Sequence, residues 1–136
     1  MKYLLDVNVL LALGVDHHEF HPRASNWVGK LRVAGVPEFT TCATTELGFV
    51  RVLAQTQQYG FTVAQAAFLL SRLKATEAVK FTFVADNHGV SDLPPWVKSA
   101  KQITDGHLAG LAKSHGAMLA TLDERIPGAF VIPGKR

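Results

Sequence analysis

Two short apolar runs each end on an aspartate: Tyr3-Leu4-Leu5-Asp6, and Ala117-Met118-Leu119-Ala120-Thr121-Leu122-Asp123. Runs this apolar read as strands covered on both faces, as in a parallel sheet. Ligands of open α/β sheets bind outside the carboxyl ends of the strands, where both aspartates would stand. Carboxylates brought together by a fold repel each other, so the pattern calls for a positive charge between them. A divalent cation supplies it most simply, and phosphate chemistry is the work such a site best serves.

Two further acids lie on the apolar sides of their helices. Glu46 shares a helical face with Ala43, Val50 and Leu53, since residues three, four and seven apart stack together. An unpartnered acid on such a stripe costs several kcal/mol or takes up a proton, about the penalty of any buried charge. Asp105 shares a face with Leu108, Ala109 and Ala112. It also occupies a first helical turn, where the macrodipole favours negative charge, so plain helix stabilisation is an equal reading for that residue alone. Asp6, Glu46, Asp105 and Asp123 would meet at one edge of the sheet, and oxygen-only ligation selects Mg²⁺ or Mn²⁺ over zinc.

The elements that must position these groups follow from the apolar periodicity. Lys2 to Asp6 predicts a strand running directly into a short helix, Val7 to Leu13. Asp16 to Pro22 opens a helix through Trp27 and Leu31 that Gly35 closes. Phe39 to Cys42 predicts a second strand, and Thr44 or Thr45 caps a helix carrying Leu47, Val50, Leu53 and Ala54 inward. After Gly60 comes a helix from Thr62 to Lys74, with Ala66, Leu69, Leu70 and Leu73 inward. Val79 to Ala85 predicts a third strand, with Phe81 and Phe83 alternating with Lys80 and Thr82. Asp86 to Lys101, broken by Gly89 and Pro94-Pro95, predicts a loop with one short helix around Trp96. Thr104 caps the next helix, with Ile103 and Leu108 spaced as a hydrophobic staple, and Gly116 ends it. A fourth strand follows at once, then a fifth, Phe130 to Ile132, before the tail Gly134-Lys135-Arg136. The alternation predicts one domain over residues 1–136, a three-layer α/β/α fold with a mainly parallel sheet of about five strands.

The bulk properties agree. A chain of 136 residues, 48% hydrophobic and 18% charged, is globular rather than disordered. A mean hydropathy of +0.14 is high for so small a chain and leaves apolar surface for a partner. The formal charge of +3 suits a nucleic-acid partner without demonstrating one. A single cysteine, Cys42, excludes an internal disulfide and reads as a small buried hydrophobe in a reducing cytoplasm. No run is long enough to cross a membrane, and no cleavable leader is evident.

The acids occur in segments that carry a resemblance. Leu4-Leu5-Asp6-Val7-Asn8-Val9-Leu10-Leu11-Ala12-Leu13 resembles the opening motif of PIN-domain proteins. Thr45-Glu46-Leu47-Gly48-Phe49-Val50-Arg51, Thr104-Asp105-Gly106-His107-Leu108-Ala109 and Ala120-Thr121-Leu122-Asp123 resemble the second, third and fourth acidic motifs, in the same order and spacing. His17 to Trp27 resembles the His-rich approach to the family's second helix. The resemblance spans essentially the whole chain and is strongest to VapC-type toxins of bacterial toxin–antitoxin pairs. It implies a Mg²⁺-dependent endoribonuclease, with Mn²⁺ also serving, that is usually dimeric and neutralised by a small antitoxin. It also implies that Asp6, Glu46, Asp105 and Asp123 form the metal site. Asn8 would orient Asp6 or a metal-bound water, and Thr121 would support Asp123.

Other groups have plainer readings. Asp16, His17, His18, Glu19 and His21 lack a well-placed further ligand for zinc and read as helix capping. Asp86, Asp92 and Glu124 read most simply as loop or surface acids, with Glu124 close enough to Asp123 to assist water or metal. Arg51 contacts RNA phosphate or is simply solvated. Trp27 and Trp96 read as packing residues before base-stacking ones. A haloacid-dehalogenase-like phosphatase would need a second aspartate where Asn8 stands, because an amide cannot exchange that proton. A receiver-type phosphoacceptor would need an acidic pair near Asp6 and a late lysine. A catalytically silent PIN-like module that only binds RNA or protein would have no use for the four acids.

Overall fold

The computed structural model describes residues Met1 to Gly134, so Lys135 and Arg136 of the predicted tail lie outside the described residues. Five strands form one parallel sheet in the order β3-β2-β1-β4-β5. They are β1 (Lys2–Leu5), β2 (Glu38–Thr41), β3 (Lys80–Phe83), β4 (Met118–Thr121) and β5 (Phe130–Val131). The helices are α1 (Val7–Gly14), α2 (His21–Arg32), α3 (Ala43–Gln55), α4 (Val63–Lys74) and α5 (Ile103–Ser114).

Alternation along β1 divides the core in two. Tyr3 and Leu5 face one layer with Val9 and Leu10 of α1, Trp27 of α2, Phe49 and Leu53 of α3, and Leu70 of α4. Leu4 faces the other, with Leu108, Leu111 and Ala112 of α5 and Leu119 of β4. Successive strand side chains point to opposite faces, so a fully apolar strand is what two helical layers require. On the first side the Trp27 ring stacks on Phe39 at 5.2 Å and on Phe130 at 5.6 Å, with Tyr3 edge-on to Trp27 at 5.1 Å. Trp27 is thus a packing residue, and partly buried Trp96 packs against the second core.

The chain leaves β1 towards β2 and β3 on one side and returns to β4 on the other. That makes the gap between β1 and β4 the switch point, where ligands of open sheets bind. Gly116, at a φ of 69°, turns the end of α5 into β4, a conformation that L side chains rarely adopt.

Several expected boundaries move. The helix after β2 begins at Ala43, so Cys42 occupies the cap position and the Thr45 hydroxyl accepts from the Cys42 N–H at 3.1 Å. Neither Thr44 nor Thr45 is the cap. Thr104 lies inside α5 rather than capping it, because a 3₁₀ turn over Ala100–Gln102 leads straight into Ile103. The irregular segment holds two 3₁₀ turns, Val90–Asp92 and Ala100–Gln102, instead of one helix around Trp96. On α3 the buried stripe is Thr45, Gly48, Phe49 and Leu53, while Leu47 is 63% exposed. Leu47, expected inward, therefore faces out, and Phe49 takes the buried side. Gly48 explains the rotation: a Cβ there would lie 2.7 Å from Val7 Cγ2, so its face is the one pressed on α1.

Candidate active site

Asp6 follows β1 directly and serves as the N-cap of α1, its Oδ1 accepting from the Val7 N–H at 2.8 Å. It is 8% exposed. Its other oxygen accepts from the Thr121 hydroxyl at 2.8 Å, from the neighbouring strand β4. Burial pushes the Asp6 carboxyl above its ordinary range, against the Thr121 and Val7 donors that favour the charged form, and nearby Asp123 pushes it further up.

Thr121 is a junction. It is fully buried, and besides donating to Asp6 it accepts from the Asp123 N–H at 3.0 Å and the Asn8 amide at 3.3 Å. Asn8, in the first turn of α1, also accepts from the Leu122 N–H at 3.2 Å. Asn8 therefore reaches Asp6 through Thr121 rather than directly, and it pins the segment that carries Asp123.

Asp105 enters from the first turn of α5. Partial burial raises its carboxyl first, and the charges of Asp6 and Asp123 raise it further. The close packing that delivers it rests on Gly106, where a Cβ would lie 2.2 Å from Val97 Cγ2 and 3.3 Å from Pro94 Cδ. Asp123 behaves differently. Arg125 donates to both of its oxygens, at 3.0 Å each, and the Arg125 N–H adds a bond at 2.9 Å. These bonds hold the Asp123 carboxyl below its usual range.

Glu46 stands on the flank of α3, not on the buried stripe. Its Oε2 accepts from the Thr41 hydroxyl at 2.6 Å and pairs with Lys74 at the end of α4. The structure thus couples Asp6, Asp105 and Asp123 electrostatically and gives Glu46 its own cation. Arg51 is exposed on α3, beside a cleft with Leu47, Val50 and Val63. As the side chains stand, no three His, Cys, Asp or Glu among the described residues converge on one point that an ion could fill. The donor set nonetheless suits a hard cation: oxygen ligands only, with mutual repulsion that a cation would relieve. Arg125 and Lys74 occupy the carboxylates that such an ion would draw inward.

The remaining groups resolve as follows. Asp86, read as a plain loop acid, is half-buried. Its Oδ2 accepts from the Thr44 N–H at 3.1 Å and hydroxyl at 2.6 Å, and its Oδ1 meets His107 Nε2 at 2.5 Å. Burial would raise its carboxyl, but these donors and the His107 charge outweigh that and lower it. Asp86 thereby ties the start of α3 to α5. His21 bonds the Ala12 carbonyl at 2.7 Å and Ser25 at 3.2 Å, so the histidine-rich segment fixes the start of α2. Glu124 is exposed, as is Asp92, which accepts from the Gly89 N–H at 2.8 Å. Sequence reasoning does not reach Lys74, Arg125 and His107, and it gives Asp86 no partner. Only Arg125, two residues past Asp123, had a local signal.

No family model matches the chain. Individual relatives do. Ribonuclease VapC38 of Mycobacterium tuberculosis (strain ATCC 25618 / H37Rv) is 35% identical, covering 98% of this chain and 91% of the relative. Ribonuclease VapC44 of strain CDC 1551 / Oshkosh is 37% identical, covering 98% and 94%. Ribonuclease VapC29 of the same strain is 36% identical, covering 90% and 86%. The crystal structure of VapBC2 from Rickettsia felis bound to a DNA fragment from their promoter superposes with a TM-score of 0.58. It covers 96% of this chain and 97% of that one at 14% identity, a likeness of fold.

Proposed function

The chain belongs to the VapC ribonucleases, and from that premise we propose that it is a metal-dependent endoribonuclease toxin held in check by a small antitoxin. The observation that carries the reading is the convergence of Asp6, Asn8 and Asp123 on the buried Thr121 hydroxyl at the β1–β4 switch point, with Asp105 near enough that, beyond burial, the charges of Asp6 and Asp123 raise its carboxyl. Together with Glu46 they would hold Mg²⁺ or Mn²⁺. Such an ion lowers the pKa of a bound water and neutralises charge on a phosphodiester.

The chain's own residues supply the rest. Thr121 fixes the Asp6 carboxylate, and Asn8 fixes the backbone of Asp123 through Leu122. Arg125 and Lys74 balance the outer acids, and on loading they would release them and turn towards RNA phosphate, where a freed cation is best satisfied. Arg51 is a further phosphate contact on the exposed side of α3. The phosphatase alternative lacks its proton-exchanging group, since the Asn8 amide is committed to Thr121 and Leu122.

Partners follow from the apolar cleft between α3 and α4, lined by Leu47, Val50, Ala67 and Leu70 and ending at Glu46 and Lys74. With Phe68 64% exposed beside it, this region suits a homodimer contact and an antitoxin segment. A basic antitoxin side chain entering from the cleft would take the place of Lys74 on Glu46 and compete with metal. No helix among the described residues is long and apolar enough to cross a membrane, and we place the work of the protein in the cytoplasm.

The test is cleavage of single-stranded RNA with Mg²⁺ or Mn²⁺, with and without EDTA, in the native chain and in Asp105→Asn. Cleavage should require metal, and the variant should fold yet cut nothing. Full activity in EDTA, or in folded Asp105→Asn, overturns the assignment.

A further inference from the structure

Phe83 is the last residue of β3, at the carboxyl edge of the sheet. It lies on the same strand face as Phe81, two residues earlier. Phe81 is taken into the core, edge-on to Phe39 at 5.8 Å. Phe83 continues that face beyond the core and is left 54% exposed. An edge strand ordinarily blunts such a position with a charge or a proline, so a bare ring there calls for a use.

Its neighbours connect it to the acidic site. Phe83 is in register with Thr41. The Thr41 hydroxyl donates to Glu46, Glu46 pairs with Lys74, and Lys74 Nζ lies 5.6 Å from the centre of the Phe83 ring. A half-exposed ring with an ammonium over one of its faces, itself paired with a carboxylate of the site, is the pairing that binds single-stranded nucleic acid. The ring takes a base and the cation takes the adjoining phosphate. A protein partner would find less here, since the apolar cleft of α3 and α4 reaches Lys74 but does not include Phe83.

We propose that Phe83 and Lys74 form a nucleotide subsite in which one base of a single-stranded RNA stacks on the Phe83 ring while Lys74 meets its phosphate. The proposal rests on the ribonuclease reading and adds the place where the strand is gripped next to the acids. Stacking serves every base, so the subsite contributes affinity rather than a sequence code.

The test uses the full chain silenced by Asp105→Asn, so that RNA is bound and not cut. The probe is a labelled oligoadenylate of roughly ten nucleotides, within the span such sites cover. Anisotropy should show Phe83→Ala weakening binding by about ten-fold, the usual loss for one stacked base. Phe83→Trp should restore it, with the added tryptophan emission quenched by the RNA. Mn²⁺ affinity, measured by calorimetry with Asp105 intact, should be the same for Phe83→Ala as for the native chain. Unchanged RNA affinity in a folded Phe83→Ala overturns the proposal. So does a Phe83→Ala that spares RNA binding but changes the oligomeric state in light scattering, which would make the ring a protein contact. If the silenced chain binds no RNA and the native chain cuts none, the ribonuclease reading falls and the subsite with it. Binding and cleavage that ignore Phe83 sink the subsite alone.

Discussion

Replacing Thr121 with valine isolates one hydroxyl at the centre of the site. The two side chains have nearly the same shape, so the change removes hydrogen bonds and opens no cavity. Thr121 is fully buried and holds the charged form of Asp6 at 2.8 Å. A hydrogen bond to a charged group is worth about 1.5–3 kcal/mol. The Asp123 N–H and the Asn8 amide lose an acceptor as well. The expected cost at neutral pH is therefore about 2–3 kcal/mol, and for a chain of this length that lowers Tm by roughly 6–12 °C.

The pH dependence separates this cause from simple packing. The folded Asp6 carboxyl titrates above its unfolded range. Between those two values the native state holds a proton that the unfolded chain has released, so stability falls as pH rises through that window and stays lower above it. Removing the Thr121 donor raises the folded value further, so the variant should fall further and over a window extending to higher pH. Below about pH 3 both states are largely protonated, and the difference should shrink to that of a neutral hydrogen bond, about 1 kcal/mol. Thermal unfolding from acid to neutral pH, without divalent metal, is the measurement. An equal loss of Tm at every pH, or no loss, would refute the charge-coupled role given to Thr121.

Three further outcomes are expected. Millimolar Mn²⁺ should raise Tm at neutral pH by relieving the repulsion among Asp6, Asp105 and Asp123, and the gain should vanish as acidification passes through the raised ranges of Asp6 and Asp105; paired melts with and without EDTA read this. Gly106→Ala should cost about 1–3 kcal/mol by overpacking against Val97 and Pro94, and RNA cleavage should drop with the displaced first turn of α5. Phe68→Asp, on an exposed position of α4, should shift the chain towards monomer in light scattering while leaving metal-dependent cleavage in place; an unchanged oligomer would move the interface elsewhere.

Sequence alone determined the features that local physics controls. Apolar runs such as Tyr3-Leu4-Leu5 and Met118-Leu119-Ala120 can be satisfied only between two helical layers, so the parallel sheet and its strands follow from composition and period. Aspartates closing those runs fall at the carboxyl edge for the same reason, and Gly116 marks its turn by being the residue that tolerates the required φ. Whether Leu47 or Phe49 turns inward was not legible, because α3 carries apolar residues on both sides and its rotation is set by the contact of Gly48 with Val7. Nor were the partners of the acids. Glu46 and Lys74 are 28 residues apart, Asp86 and His107 21, and Asp6 and Thr121 115. Such pairs form only when separate elements dock, and a hydrogen bond or ion pair depends on a few ångströms of docking geometry that no periodicity encodes. The same holds for Phe83: its strand face was readable, but where the core ends along that face was settled by the packing of Phe81 on Phe39.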